Sequence, residues 1–187
     1  MNFESIEAYI SKFPIYQYAF LKPEEIVFSD KAKQRCRQSC TFYGQSWSCQ
    51  PAVGKIEKYR ENCLLYSNVL VFSTVSEVES SLKADFRKEA VKEHVRLTDI
   101  INEKLIDEGY QTFVLSAGKC MRCTKCTFPK ALCRNQNNMY PCIESHGITI
   151  SDLAEQCDMD YYMGENLRIN FSLIFIDDGI DFDEDTD

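Results

Sequence analysis

Four cysteines stand within fourteen residues in the second half of this chain. Cys120, Cys123 and Cys126 are separated from one another by two residues, and Cys133 follows after six more. Two-residue spacers allow a turning loop to direct successive sulfur atoms at one centre, as in the first three ligands of bacterial ferredoxin-type iron–sulfur motifs. Structural zinc sites usually take separated pairs of cysteines. The run therefore favours an iron–sulfur cluster of the [4Fe–4S] type, with zinc as the alternative.

A looser cysteine segment lies earlier, where three residues separate Cys36 from Cys40 and eight separate Cys40 from Cys49. The two segments together hold seven cysteines, and Cys63 would supply the eighth thiolate that two four-cysteine clusters need. The pairing stays open, because Cys133 can complete the cluster of its own run or ligate the other one. If Cys63 is not a ligand, one cluster has three protein thiolates and an iron that is open to substrate.

The remaining two cysteines, Cys142 and Cys157, stand outside both segments. We interpret them as small buried hydrophobic residues, the common role of a free cysteine. A thiol reaction in which Cys120 and Cys123 alternate between dithiol and disulfide is a further interpretation. Metal binding accounts for more of the clustered thiols than a single dithiol does, and reducing compartments favour it over disulfides.

Positive charge is concentrated on the same two segments, whereas the whole chain has a formal net charge of −8. Residues 31–40 and 119–134 contain no acidic residue and nine cations: Lys31, Lys33, Arg35, Arg37, Lys119, Arg122, Lys125, Lys130 and Arg134. We expect these cations to compensate the negative charge of thiolate-ligated clusters. They also offer a docking face for a redox protein or an anionic substrate. The acidic net charge disfavours nucleic acid as a partner.

Length and hydropathy predict one metal-binding domain in residues 1–176 and an acidic, disordered tail in residues 177–187. A chain of this length buries enough surface to fold without disulfides or metal staples. The longest apolar runs are of strand length, which predicts no membrane span. The N-terminus has neither the basic nor the apolar region of a secretory signal, so we expect a cytoplasmic location.

Hydrophobic periodicity predicts an α/β (α+β) fold with a small mixed sheet. Helices are expected over residues 3–13, 54–59, 78–109 and 151–157, and strands within 15–28 and over 64–75, 110–115 and 167–176. The long helix follows a capping box from Ser76 to Glu79 and carries His94 on its apolar stripe, as a packed core residue. Residues 64–115 then form a strand–helix–strand unit with a right-handed crossover and parallel strands. The second cysteine segment begins at the end of that unit, where α/β sheets tend to bind ligands.

Three motifs follow one another from Cys36 to the last expected strand. They are Cys36-x₃-Cys40-x₂-Tyr43-Gly44-x₂-Trp47-x-Cys49-x-Pro51, Gly118-x-Cys120-x₂-Cys123-x₂-Cys126 with Cys133-Arg134, and Pro141-x₂-Glu144-x₂-Gly147-Ile148. Their order and spacing resemble a family of predicted metal-binding proteins catalogued as domain of unknown function 2284. The resemblance implies that the seven cysteines of the two segments form the family's metal motif. This chain departs from it at Gln50 and Gln136, where the family has proline, and at Cys142, which replaces a small polar residue.

Two functions compete on these observations. The first is a cytoplasmic iron–sulfur protein with one or two [4Fe–4S] clusters that acts in electron transfer or redox activation. The second is a zinc-stapled binding or regulatory module whose basic face recruits an acidic partner. Both use the same ligands, which are Cys36, Cys40, Cys49, Cys120, Cys123, Cys126 and Cys133, with Cys63 as the candidate eighth. The sequence assigns no catalytic residue and no oligomeric state.

Overall fold

The computed structural model describes residues 1–77 and 83–178, with the backbone alone for residues 83–87. Within these ranges the chain forms five α-helices and four β-strands, which confirms the predicted α/β class. The helices are α1 (Phe3–Ile10), α2 (Asp30–Ser39), α3 (Ile56–Cys63), α4 (Lys83–Asp107) and α5 (Ile150–Gln156). The strands are β1 (Gln17–Leu21), β2 (Asn68–Glu77), β3 (Gln111–Leu115) and β4 (Leu167–Asp177).

The four strands form one sheet in the order β1-β2-β4-β3. Each hydrogen-bonded pair is antiparallel, with Val71 opposite Leu173 between β2 and β4 and Val114 opposite Ile174 between β3 and β4. Because β2 and β3 are both antiparallel to β4, they run parallel to each other, as the strand–helix–strand unit predicts. The sheet is antiparallel at every pair instead of mixed, because the last strand inserts into that unit.

The central strands β2 and β4 are apolar on both faces, since both faces of the sheet are covered. On one face, Ile6 of α1 and Ile101 of α4 pack on Phe72 of β2. On the other face, Leu153 of α5 packs on Phe171 of β4. Burial of each such phenylalanine or leucine side chain stabilises the fold by about 1.5 to 3 kcal/mol.

The predicted start of the long helix is wrong. Ser76 and Glu77 continue β2, where Glu77 pairs with Leu167 of β4, so Ser76 is not a helix cap. The other two residues of the expected capping box, 78 and 79, lie outside the described residues, as do residues 179–187 of the predicted acidic tail. His94 is buried on α4, as the sequence predicts. None of the helices in the described ranges is both long and apolar enough to cross a bilayer.

Three irregular segments meet beyond the carboxyl end of β3: residues 40–54, 116–135 and 141–148. The Ser116 amide donates to the Pro141 carbonyl at 3.0 Å, and the Ile143 amide donates to the Ser116 carbonyl at 3.3 Å. Ser116 and Cys142 form an isolated parallel bridge between the two segments. The sheet edge where the sequence predicts a ligand therefore carries both cysteine segments. It also carries residues 141–148, the third segment.

Candidate metal centre

The two cysteine segments, distant in the sequence, are in direct contact. Trp47 of the first donates from Nε1 to the Ala131 carbonyl of the second at 3.1 Å, and its ring meets Phe128 edge-on with 5.1 Å between centroids. The Cys120 amide donates to Ser48 Oγ at 2.8 Å. One polar and aromatic interface therefore fixes the position of both sets of thiols.

A cavity of about 470 Å³, the first cavity, collects the thiols of the first segment. Cys36, Cys40 and Cys49 line it together with Cys142. Electrostatic repulsion between neighbouring thiolates contributes to their pKa values. Cys40 and Cys49 help to raise the pKa of Cys36, and Cys49 and Cys36 help to raise that of Cys142. The wall also contains Asn170, whose Nδ2 is buried and has no hydrogen-bond partner among the described residues.

Helix α2 positions the first two of these cysteines. Ser29 caps the helix, because its Oγ accepts a hydrogen bond from the Lys31 amide at 3.1 Å. Cys36 lies on the buried side of α2, and Cys40 follows one turn later as the C-cap residue. The helix contacts the 3₁₀ turn Glu144–His146, which brings the third segment beside α2.

Hydrogen bonds fasten the third segment to the first. The Cys142 amide donates to the Ser48 carbonyl at 2.9 Å, and Ser145 Oγ lies 3.1 Å from the same carbonyl oxygen. Gln50 Nε2 donates to the Ser145 carbonyl at 2.7 Å. Cys142 is buried, as expected from the sequence, but it is also part of the wall of the first cavity, which the sequence analysis missed.

A second, smaller cavity of about 20 Å³ is lined by all four cysteines of the second segment: Cys120, Cys123, Cys126 and Cys133. Asn135 donates to two of them, from its Nδ2 to Cys123 Sγ at 3.0 Å and from its amide to Cys133 Sγ at 3.4 Å. Cys133 therefore lies with its own run. Asn135 was not singled out by its sequence position, because its role depends on the turn of the loop after Cys133.

The other two cysteines lie elsewhere. Cys63 is fully buried in the hydrophobic core beside Val69, and burial raises its pKa to about 12. Cys157 packs on the edge of the same core, and burial raises its pKa to about 11. Cys63, the candidate eighth ligand, is thus surrounded by apolar side chains of the core.

Desolvation raises the pKa of Cys36, in the first cavity, to about 12. The same burial raises the pKa of Cys49 and Cys120. Nearby donors and cations act in the opposite direction, with Lys119 lowering the pKa of Cys49 and Arg122 that of Cys120. Because metals bind thiolates, metal binding must displace protons from these groups.

Two of the cations in the second segment are held in place. Arg122 forms a bidentate ion pair with Asp99 on α4, with 2.6 Å between Nη1 and Oδ2, and its guanidinium stacks 5.0 Å from the Tyr140 ring centroid. Arg134 donates to the Lys125 carbonyl at 2.6 Å. The second cysteine segment is thereby attached to α4, and a fixed positive charge stands beside Cys120.

Among residues 1–77 and 83–178, no three His, Cys, Asp or Glu side chains are arranged to hold a single metal ion. A tetrahedral zinc site with bonds of about 2.3 Å needs sulfur atoms roughly 3.8 Å apart. The thiols of the two segments line the two cavities, and thiolates ligate both zinc and iron–sulfur clusters. The size of the first cavity and the Asn170 amide, which has no partner among the described residues, fit a polynuclear cluster, whereas the second cavity must widen to accept one.

Two adjoining thiol-lined cavities on an α/β scaffold place this chain in the class of cysteine-rich, metal-binding proteins. The family model described as "Predicted metal-binding protein (DUF2284)" matches residues 19–176, and the chain belongs to that family. This match confirms the resemblance seen in the three motifs. No curated protein matches the chain, and no solved structure does.

Proposed function

We propose that this chain is a cytoplasmic iron–sulfur protein that holds two [4Fe–4S] clusters and transfers electrons. The observation that carries the proposal is the second cavity, where Cys120, Cys123, Cys126 and Cys133 line one space. A run of cysteines at two-residue spacing with a further cysteine beside it is the ligand set of a four-iron cluster. The family description supports metal binding in general and names no metal.

The first cavity takes the second cluster in this proposal. Cys36, Cys40 and Cys49 line it from one helix and the loop that follows, and its volume of about 470 Å³ leaves room for a polynuclear group. The buried Nδ2 of Asn170 supplies a hydrogen-bond donor that has no acceptor among residues 1–77 and 83–178. Hydrogen bonds to cluster sulfur atoms are one of the means by which proteins set the reduction potential.

A bound cluster supplies one-electron chemistry at a potential set by charge, hydrogen bonds and exposure. The chain provides all three of these at the second cavity. Asn135 donates to Cys123 and Cys133, Arg122 places a cation beside Cys120, and Trp47 forms part of the wall. Donors and cations stabilise the reduced, more negative form, so these residues raise the potential.

The electron partner binds, we expect, at the exposed basic surface of the second segment. Lys125, Lys130 and Arg134 are exposed there around Leu132, whose side chain is 73% exposed. An acidic redox protein fits this combination of positive rim and apolar centre. One electron enters from a reduced donor protein and one leaves to an oxidised acceptor, so the chain is unchanged after each cycle.

A zinc-stapled module that recruits an acidic partner is the second candidate, and the size of the second cavity favours it. A space of about 20 Å³ is close to what one ion or one water molecule occupies. Against it stands the cysteine spacing of the second segment, because structural zinc sites usually take separated pairs of cysteines. In this candidate the same basic surface recruits the partner, without electron transfer.

Anaerobic purification with iron, zinc and sulfide analysis separates the two candidates. The iron–sulfur proposal predicts a brown protein with about eight iron and eight sulfide per chain, since each cluster contains four of each. Iron and sulfide should appear in equal amounts, and the visible absorbance should bleach on reduction. A colourless protein with zinc and no acid-labile sulfide would overturn the proposal in favour of the zinc module.

The variant Cys123→Ser should lose about four iron atoms per chain, because it removes a ligand from the second cavity. Cys157→Ser is the matched control, since Cys157 lies at the edge of the core and lines neither the first nor the second cavity. It should keep the iron content of the parent chain. Equal losses of iron from both variants would contradict the assignment of Cys123 as a ligand.

A further inference from the structure

We infer that Cys142 is the fourth protein ligand in the first cavity, an inference that rests on the proposed iron–sulfur function. The cysteine spacing gives no sign of this role, because Cys142 belongs to neither cysteine segment. In the fold it lines the same cavity as Cys36, Cys40 and Cys49. The hydrogen bond from the Cys142 amide to the carbonyl of Ser48 brings it beside Cys49, the next residue of the first segment.

The backbone of Cys142 is held from both sides. Its amide donates to the Ser48 carbonyl at 2.9 Å, next to Cys49 in the chain, and its carbonyl accepts from Ser145 Oγ at 2.6 Å. The bridge to Ser116 ties it to the end of β3. Contacts with Ser48, Ser145 and Ser116 therefore fix the backbone position of Cys142 in the cavity wall, as a preorganised ligand requires.

The alternatives for the fourth position are weaker. Cys63 is fully buried among core residues such as Val69. Glu144 also lines the first cavity, but its carboxylate is a hard oxygen ligand, and iron–sulfur clusters select thiolates. Cys142 is the remaining thiol in that wall, and it brings the set to the four cysteines that one cluster takes.

Ligation by Cys142 changes what the first cavity does. The S–H bond breaks, an Fe–S bond forms, and the proton passes to solvent, so every iron of that cluster has a protein thiolate. The cluster then has no iron open to substrate. The first cavity then holds an electron-transfer cluster rather than a substrate site. With one cluster in each cavity, the protein carries two electrons.

The test uses the full chain, purified or reconstituted anaerobically with iron and sulfide. In Cys142→Ser, iron per chain should fall from about eight to between about four and seven, because the first cluster is lost or keeps three irons. Electron paramagnetic resonance of the oxidised protein should then show a three-iron signal if a partial cluster remains. Cys157→Ser, the control, should keep both the iron content and the spectrum of the parent chain.

Each result decides one question. A parent chain without iron and sulfide overturns the proposed function itself. A parent chain with eight iron atoms, together with a Cys142→Ser variant of the same iron content and spectrum, overturns the role of Cys142 and leaves the function standing. Repeating the comparison in a Cys123→Ser background isolates the first cavity, where iron should fall from about four atoms to three or fewer.

Alkylation of the parent chain provides a measurement that does not depend on the folding of a variant. The rate of labelling of each thiol, with and without the bound cluster, is read by mass spectrometry. Ligation predicts that cluster removal accelerates labelling of Cys142 by the same factor as that of Cys36 and Cys49. If Cys142 instead changes by the smaller factor of Cys63, which is buried without being a ligand, the inference is overturned.

Discussion

At the scale of single residues, Gly147 has a backbone that no other residue adopts easily. It ends the 3₁₀ turn Glu144–His146 with a φ of 86°, in the left-handed region. A Cβ atom there would lie 2.9 Å from Cδ1 and Cγ2 of Ile56, the first residue of α3. Its carbonyl accepts the Ser29 amide at 2.6 Å, just before α2 begins. This glycine therefore joins α2 and α3 to the segment that carries Cys142.

Gly147→Ala should destabilise the chain more than Gly164→Ala. Both positions have positive φ, which costs an alanine about 1 to 2 kcal/mol. A Cβ atom at position 164 meets no atom within 4 Å, whereas one at position 147 overlaps Ile56. Such overpacking costs a further amount of about 1 to 3 kcal/mol. Urea unfolding of the metal-free variants measures the difference. Equal losses would show that Ile56 moves aside at no cost.

The thiols show which residues of the site the sequence can identify. Two-residue spacing is a local property of a loop, so it predicts that Cys120, Cys123 and Cys126 line one space without knowledge of the fold. The approach of Cys142 to Cys49 depends on a hydrogen bond to Ser48, a contact between distant parts of the chain. No local pattern encodes such a contact.

At the scale of the elements, a buried polar network docks α4 on the sheet. His94 Nδ1 lies 2.8 Å from Thr74 Oγ1 of β2, and His94 Nε2 lies 2.8 Å from Ser172 Oγ of β4. Thr98 Oγ1 donates to the His94 carbonyl at 2.9 Å and lies 2.9 Å from Ser172 Oγ. Ser116 Oγ of the segment after β3 lies 2.7 Å from the same Ser172 hydroxyl, so the network ties α4 to three parts of the sheet and its edge.

Acid should weaken this docking. Burial lowers the pKa of His94 to about 4, whereas the unfolded chain titrates near 6.5. The unfolded state thus binds more protons between these values, and His94 alone should lower the free energy of unfolding as pH decreases from 6.5, by about 3 kcal/mol at pH 4. Nitrogen NMR of the imidazole, followed with pH, measures the pKa directly. An imidazole that titrates near 6.5 in the folded chain would contradict the burial argument.

Helices and strands were predictable where their apolar residues form a clear run or recur at regular spacing. The strands β2 and β4 and the helix α4 have such periods, because they bury whole faces in the core. Helix α2 was not predicted, since only Ala32 and Cys36 of its residues are buried and the rest are polar. The sheet order was not predicted either, because the insertion of β4 between β2 and β3 is a pairing that no single segment specifies.

At the scale of the whole molecule, the buried hydroxyl of Ser48 lies between cysteines that line the two cavities. Ser48 Oγ accepts the Cys120 amide at 2.8 Å on the side of the second cavity and lies 3.7 Å from Cys49 Sγ on the side of the first. Ser46 Oγ completes the contact at 2.9 Å, and both serines are buried. Two metal groups bound in these cavities would be neighbours, and the stability of each would depend on the same hydroxyl.

Ser48→Ala should therefore weaken iron binding at both cavities. The substitution leaves the Cys120 amide without its acceptor, at a cost of about 1 to 3 kcal/mol, so iron release to a chelator should accelerate roughly tenfold. Electron paramagnetic resonance during the release distinguishes the two clusters. Ser11→Ala, an exposed serine at the end of α1, is the control and should release iron at the parent rate. Faster release from one cluster only would mean that each cavity holds its metal independently and that Ser48 does not couple them.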